Sequence, residues 1–132
     1  MTALLDTHVL IWWLEDRGRL SPAHKQVLDA ADPRAPLLLS DISLWEIATL
    51  HEHGRIELTV PLREWLERAT APPLVKRCEI SPAVAAAVAS LPPTFPRDPA
   101  DRIIVSTARV RGATLLTCDT QIIESNVVAT LE

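Results

Sequence analysis

A chain of 132 residues suits one compact domain built around one core. Its 48% hydrophobic content excludes a disordered chain, and no apolar run approaches the roughly 20 residues that a membrane helix needs. The net charge of −4 argues mildly against a nucleic-acid binder. It does not exclude one, because a site made of carboxylates lowers the formal charge and a divalent cation bound there reverses the local field.

The elements follow in chain order. Residues 2–5 form a short apolar run, short enough for a buried strand. Residues 7–16, with Val9, Leu10, Trp12, Trp13 and Leu14, predict a largely buried helix. Ser21-Pro22 opens a second helix to about Ala31, with serine as cap and proline at the first helical position. Leu37–Leu39 is a strand, and Ser40 to about His53 a helix closed by Gly54. Pro61 to about Thr70 is a further helix, and Val75–Ile80 a weaker strand. Ser81-Pro82 starts an Ala/Val-rich helix that ends near Leu91. Pro92 to Pro99 holds four prolines in eight residues and reads as a stiff loop. Asp98-Pro99 opens a long helix to Gly112. Ala113–Cys118 is a strand, and Val127–Leu131 supplies a last one. The alternation predicts a single α/β domain over residues 1–132, with a central, mainly parallel sheet of four or five strands and helices on both faces.

The N-terminus has no basic segment ahead of Leu4-Leu5, so no secretory signal is expected. Cys78 and Cys118 form neither a CxxC pair nor a disulfide framework, and read as free thiols of a cytoplasmic protein.

Four acids stand where strand or loop turns into helix: Asp6, Glu46, Asp101 and Asp119. Ligands of open α/β sheets bind beyond the carboxyl ends of the strands, so all four can face one edge. Two carboxylates 5 Å apart repel by about 3 kcal/mol at an effective dielectric of 20, and a divalent ion removes that repulsion. All-oxygen ligation selects Mg²⁺ or Mn²⁺ over Zn²⁺. Mg²⁺ keeps several waters, one of which can attack a phosphodiester. Each acid also has a plain structural alternative. Glu46 follows Ser43 at a capping-box spacing, Asp101 follows Asp98 in a cap-like arrangement, and Asp6 and Asp119 suit turns.

The blocks Leu4-Leu5-Asp6-Thr7-His8, Ser43-Leu44-Trp45-Glu46-Ile47-Ala48, Asp98-Pro99-Ala100-Asp101-Arg102 and Leu116-Thr117-Cys118-Asp119 resemble those of PIN-domain ribonucleases. In particular they are similar to the VapC-type toxins of bacterial toxin–antitoxin pairs. The resemblance runs in order through nearly the whole chain. It implies an endoribonuclease dependent on Mg²⁺ or Mn²⁺, inhibited by a small cognate antitoxin and usually a homodimer. It also implies that Asp6, Glu46, Asp101 and Asp119 bind the metal, with Asp98 outside the ligand set or capping its helix. Thr7 and Thr117 stand beside these acids and are candidates to hold metal, water or phosphate. Two positions depart from the family pattern: Leu50, where a lysine is frequent, and Pro96, where a histidine is frequent.

His8 is a candidate substrate contact. Arg97 and Arg102 either clamp phosphate or pair with Asp98 and Asp101. His51 and His53 are two apart, not the four that a zinc-protease helix needs. The tryptophans at 12, 13, 45 and 65 are expected mainly in the core, as is Cys118. Two other functions remain open: an α/β phosphatase using Asp6, and a non-catalytic interaction module in which the acids only cap helices.

Overall fold

Five short strands carry the frame in a computed structural model that describes residues 1–132. They are β1 (Ala3–Leu5), β2 (Leu37–Ser40), β3 (Val75–Cys78), β4 (Thr114–Leu116) and β5 (Thr130–Leu131). Their order across the sheet is β3-β2-β1-β4-β5, and every pairing is parallel. Seven helices connect or follow them: α1 (Thr7–Glu15), α2 (Pro22–Asp29), α3 (Asp41–Glu52), α4 (Leu62–Ala69), α5 (Pro82–Ala89), α6 (Pro99–Arg111) and α7 (Thr120–Ser125). None is long and apolar enough to cross a membrane.

The period-2 alternation of strands sorts the core into two layers. Ala3, Leu5, Leu37, Leu39 and Leu116 face the side packed by α1 to α4, with Leu10, Leu28, Ile47 and Trp65. Leu4, Leu38 and Leu115 face the other side, with Phe95, Ile104, Ala108 and Ile122. Strands covered on both faces read as unbroken apolar runs, which is why Leu37-Leu38-Leu39 is legible as a strand without alternation.

The helix starts expected from serine and aspartate hold. Ser21 caps α2 through the His24 N–H, Ser81 caps α5 through the Val84 N–H, and Asp98 caps α6 through the Asp101 N–H. Gly112 closes α6 in the left-handed conformation (φ 63°) that a side chain strains to reach. Three features differ from expectation. Ser40 rather than Ser43 caps α3, since the helix begins at Asp41 and Ser43 is already inside it, so Glu46 belongs to no capping box. Helix α7 and a 3₁₀ turn at Arg17–Arg19 were not foreseen, both being too short to show a period. Strand β4 stops at Leu116, so Thr117 and Cys118 follow it as loop.

The chain leaves β1 toward β2 and β3 on one side, and β4 and β5 lie on the other. The strand order therefore reverses between β1 and β4, and a crevice opens beyond their carboxyl ends.

Candidate active site

Beyond those carboxyl ends lies a cleft of ≈ 490 Å³ lined by Asp6, His8, Val9, Trp12, Arg19, Glu46, Asp98, Asp101, Cys118 and Asp119. The structure thus brings together four acids drawn from α3, α6 and the ends of β1 and β4, and adds Asp98.

Asp6 is the most rigidly held. Its backbone N–H donates to Leu116 O (2.9 Å), so β1 and β4 fix its position. Its Oδ1 accepts the Thr7 N–H (2.8 Å) and its Oδ2 the Thr117 hydroxyl (2.7 Å). Thr117 then accepts the Asp119 N–H on the same oxygen (3.0 Å), while its own N–H donates to Leu131 O in β5. One fully buried hydroxyl therefore ties two site acids to the two strands beside them. Thr7 is likewise fully buried and donates to Ser43 (2.9 Å), which joins the start of α1 to α3, the helix that carries Glu46. Both threonines position acids, and neither offers its oxygen to the cleft.

Glu46 and Asp101 face each other because α3 packs on α6. With Asp98 they present carboxylate oxygens within 4.8 Å of one another. Asp98 combines two roles, capping α6 and completing this ring.

The electrostatics follow from crowding. Burial, then Asp6, Asp98, Asp119 and Glu46 in that order, push the Asp101 carboxyl up to about 7. Asp6 is also raised, mainly by burial, with the Thr117 and Thr7 hydrogen bonds opposing. Glu46 is raised by burial, which outweighs the lowering influence of the Thr7 hydroxyl. Carboxylates this desolvated and this close favour a divalent cation among them. The donor set fits a hard one: the closest oxygens are all carboxylate, and neither His8 nor Cys118 belongs to the ring.

Several sequence expectations change here. Cys118 is exposed and lines the cleft instead of packing in the core, since it stands outside β4 and strand alternation does not govern it. Only Trp65 among the tryptophans is buried, its indole N–H donating to Glu15 (2.7 Å); Trp45 is 58% exposed. Arg102 donates to the carbonyls of Pro96 and Val88 (both 3.4 Å), neither clamping the cleft nor pairing with Asp98 or Asp101. Arg97 is exposed and lines a separate hollow beside Phe95 and Gln121. The arginine at the cleft is Arg19, which sequence reading passed over inside an unassigned turn. The His8–Trp12 spacing of four, directly after Asp6, was the available signal that one face of α1 borders the site. His8 itself is exposed and lines the cleft.

The geometry also bears on the other functions. Phosphorylating Asp6 would break one of its two hydrogen bonds and bury the phosphoryl group, whereas ligating a cation leaves both bonds in place, since each carboxylate oxygen keeps a second lone pair. Asp6, Asp98 and Asp119 do cap helices, but Glu46 and Asp101 cap nothing, so capping alone does not account for the cluster.

The chain matches the PIN domain family over residues 3–126. It is 42% identical over 118 residues to Ribonuclease VapC22 of Mycobacterium tuberculosis (strain ATCC 25618 / H37Rv), covering 89% of this chain and 87% of that protein. Its fold is similar to VapBC2 from Rickettsia felis bound to a promoter DNA fragment, with a TM-score of 0.74 at 14% identity, over 99% of this chain and 98% of that one. It is also similar to a toxin–antitoxin complex from Klebsiella pneumoniae, with a TM-score of 0.66 at 22% identity, over 98% and 97%.

Proposed function

This chain belongs to the PIN-domain family, and from that premise we propose that it is a metal-dependent endoribonuclease, the toxin of a toxin–antitoxin pair. The observation that carries the reading is the convergence of five carboxylates on one cleft at the point where the strand order reverses. Asp6, Glu46, Asp101 and Asp119, which all line the cleft, are the residues proposed to hold the cation. The tightest oxygen group, Glu46, Asp98 and Asp101, includes Asp98 and leaves Asp6 and Asp119 outside it, which adds Asp98 to the proposed ligands. An all-carboxylate donor set supports Mg²⁺ or Mn²⁺. When bound, such an ion supplies Lewis-acid polarisation of the phosphodiester and a more acidic water.

The chain's own residues do the rest. Thr117 holds Asp6 and Asp119 at fixed separation, so the cleft keeps its shape before any ligand arrives. Asp101, pushed up to about 7, carries a proton part of the time near neutral pH, and would have to lose it to serve as a ligand. His8, exposed at the mouth, is placed to hydrogen-bond a phosphate oxygen of the substrate. Hydrolysis adds water across one P–O bond of the RNA backbone, and the departing oxygen leaves with a proton.

A small antitoxin protein is the proposed inhibitory partner, a reading supported by the likeness to the Rickettsia and Klebsiella complexes. Homodimerisation is proposed as well. Exposed Ala83, Ala85, Ala86 and Ala89 on α5, with Ile80 46% exposed beside that helix, offer apolar surface for it.

The test is cleavage of a mixed RNA pool by purified protein with Mn²⁺, with Mg²⁺ and with chelator, alongside Asp6→Asn. Cleavage that needs both metal and Asp6 is the expected result. Chelator-resistant cleavage, or full activity of Asp6→Asn, overturns the reading.

A further inference from the structure

The acidic cleft continues past His8. A second cleft of ≈ 550 Å³ lies against it, and the two share three lining residues: His8, Trp12 and Arg19. These form a ridge along the mouth. The Arg19 guanidinium carbon stands 5.0 Å from the Trp12 ring centre, and the His8 and Trp12 rings are 5.9 Å apart, tilted by 52°. Trp12 is half-buried, one side packed against the core of the α1-to-α4 face. Arg19 is exposed and makes no ion pair: the four salt bridges of the molecule join Arg17–Asp29, Arg63–Glu67, Arg68–Glu64 and Arg77–Asp41.

A polyanion approaching five carboxylates meets repulsion everywhere except at the cation and at the ridge. Arg19 is the one arginine lining the acidic cleft. A guanidinium lying over an indole is held by the ring face and keeps its edge N–H groups free to fork onto a phosphate. The part of the half-buried indole that the core and Arg19 leave open, with the outer face of the guanidinium, accepts a base by stacking, whatever the base. Past the ridge the second cleft carries three acids, Glu15, Asp16 and Glu57, against one further arginine, Arg55, so the positive surface nearest the acidic cleft is the ridge itself.

We propose that the ridge of His8, Trp12 and Arg19 docks the nucleotide next to the scissile phosphate of single-stranded RNA, its base against Trp12 and its phosphate on Arg19. This rests on the ribonuclease reading above.

The test is fluorescence anisotropy of a labelled single-stranded RNA, titrated with Asp6→Asn protein, which binds without cutting. Adding Arg19→Ala to that protein is expected to weaken binding about tenfold, and to shrink the slope of log affinity against log salt by about 0.7, the value for one phosphate contact on a single strand. Arg19→Lys is expected to keep the salt slope and lose part of the affinity, because an ammonium does not lie flat on the indole. Trp12→Phe is expected to bind nearly as well as the parent, while Trp12→Leu, which keeps the apolar packing, loses about fivefold or more. In otherwise wild-type protein, Arg19→Ala is expected to raise KM with kcat nearly unchanged.

Unchanged affinity and salt slope in Arg19→Ala, while wild type cleaves RNA, overturn the ridge and leave the ribonuclease reading intact. A parent that neither binds RNA nor, as wild type, cleaves it overturns both. If Arg19→Ala keeps its RNA affinity but loses the co-expressed antitoxin, the ridge docks protein and the proposal falls.

Discussion

At the carboxyl edge of the sheet, Asp6, Glu46, Asp98, Asp101 and Asp119 crowd one cleft; at the amino edge, Met1, Arg34, Lys76 and Arg111 line a hollow of ≈ 310 Å³ that has no carboxylate in its lining. The signs of both edges have a common local origin. In an all-parallel sheet the helices begin at the carboxyl edge and end near the amino edge. Acids suit helix starts, where Asp6, Asp98 and Asp119 cap α1, α6 and α7. Bases suit helix ends, as Arg109 and Arg111 do in the last turn of α6. What separates the edges is desolvation. Arg34, Lys76 and Arg111 are exposed and free to spread into water, whereas Asp6 is buried and Asp101 is pushed up to about 7. Helix polarity accounts for part of each edge's sign, at Asp6, Asp98 and Asp119 and at Arg111, and a reactive site requires that the charges also be confined.

The strongest way to break this contrast is to neutralise one confined acid. Asp6→Asn is expected to lower RNA cleavage by about 10³-fold with the fold retained, measured as single-turnover rate and far-UV circular dichroism. Next is the strut. Thr117→Val removes the hydroxyl that bonds Asp6 and leaves the Asp119 N–H without its partner. It is expected to cost about 1–3 kcal/mol in denaturant unfolding and to weaken Mn²⁺ binding about 10–100-fold in calorimetric titration.

A pH series sharpens the comparison further. In metal-free protein Asp101 titrates near 7 against an ordinary 3.8, so the folded state holds a proton that the unfolded chain has released. Where the unfolded state binds fewer protons, stability falls as pH rises; the loss runs from about pH 4 to about pH 7 and is complete above that. Asp101→Asn is therefore expected to raise the metal-free Tm at pH 8 by a few degrees and to flatten its pH dependence, read by scanning calorimetry. Divalent affinity of the unaltered protein should rise with pH through about 7 and then level off. The smallest effect belongs to the amino edge. Lys76→Ala and Arg111→Ala should leave the cleavage rate within about twofold and stability within about 0.5 kcal/mol. A large loss of cleavage there would mean that exposed charge alone suffices to make a site.

The fold was legible where burial is symmetric or a cap is explicit. Leu37-Leu38-Leu39 could only be a strand covered on both faces, and Asp98-Pro99 could only open a helix. Asp6 and Asp119 were legible because each follows an apolar run and Asp101 because it stands in the first turn after a cap, while Glu46, inside α3, was legible only through the block at residues 43–48. The rim was not. Arg19 sits in a three-residue 3₁₀ turn, too short for any periodic signal, and its place over Trp12 is set by packing between α1 and α2. Arg97 and Arg102, adjacent in sequence to the acids, face away, because helix geometry and loop direction decide orientation and sequence proximity does not. Cys118 lies at the surface because strand alternation ends with β4 at Leu116, a boundary that the unbroken run of β-forming residues Ala113–Cys118 conceals.

The central position of β1 makes the cleft depend on contacts between segments far apart in sequence. The atoms that hold Asp6, Leu116 O and the Thr117 hydroxyl, lie more than a hundred positions away from it in sequence. A nascent or truncated polypeptide that ends before Thr114 has β1 and the α3 acid but no strand on the other side, no Asp119 and no hydroxyl to set Asp6. Such a fragment lacks Asp119 and the groups that fix Asp6, so the cleft takes its shape only once β4 has closed on β1.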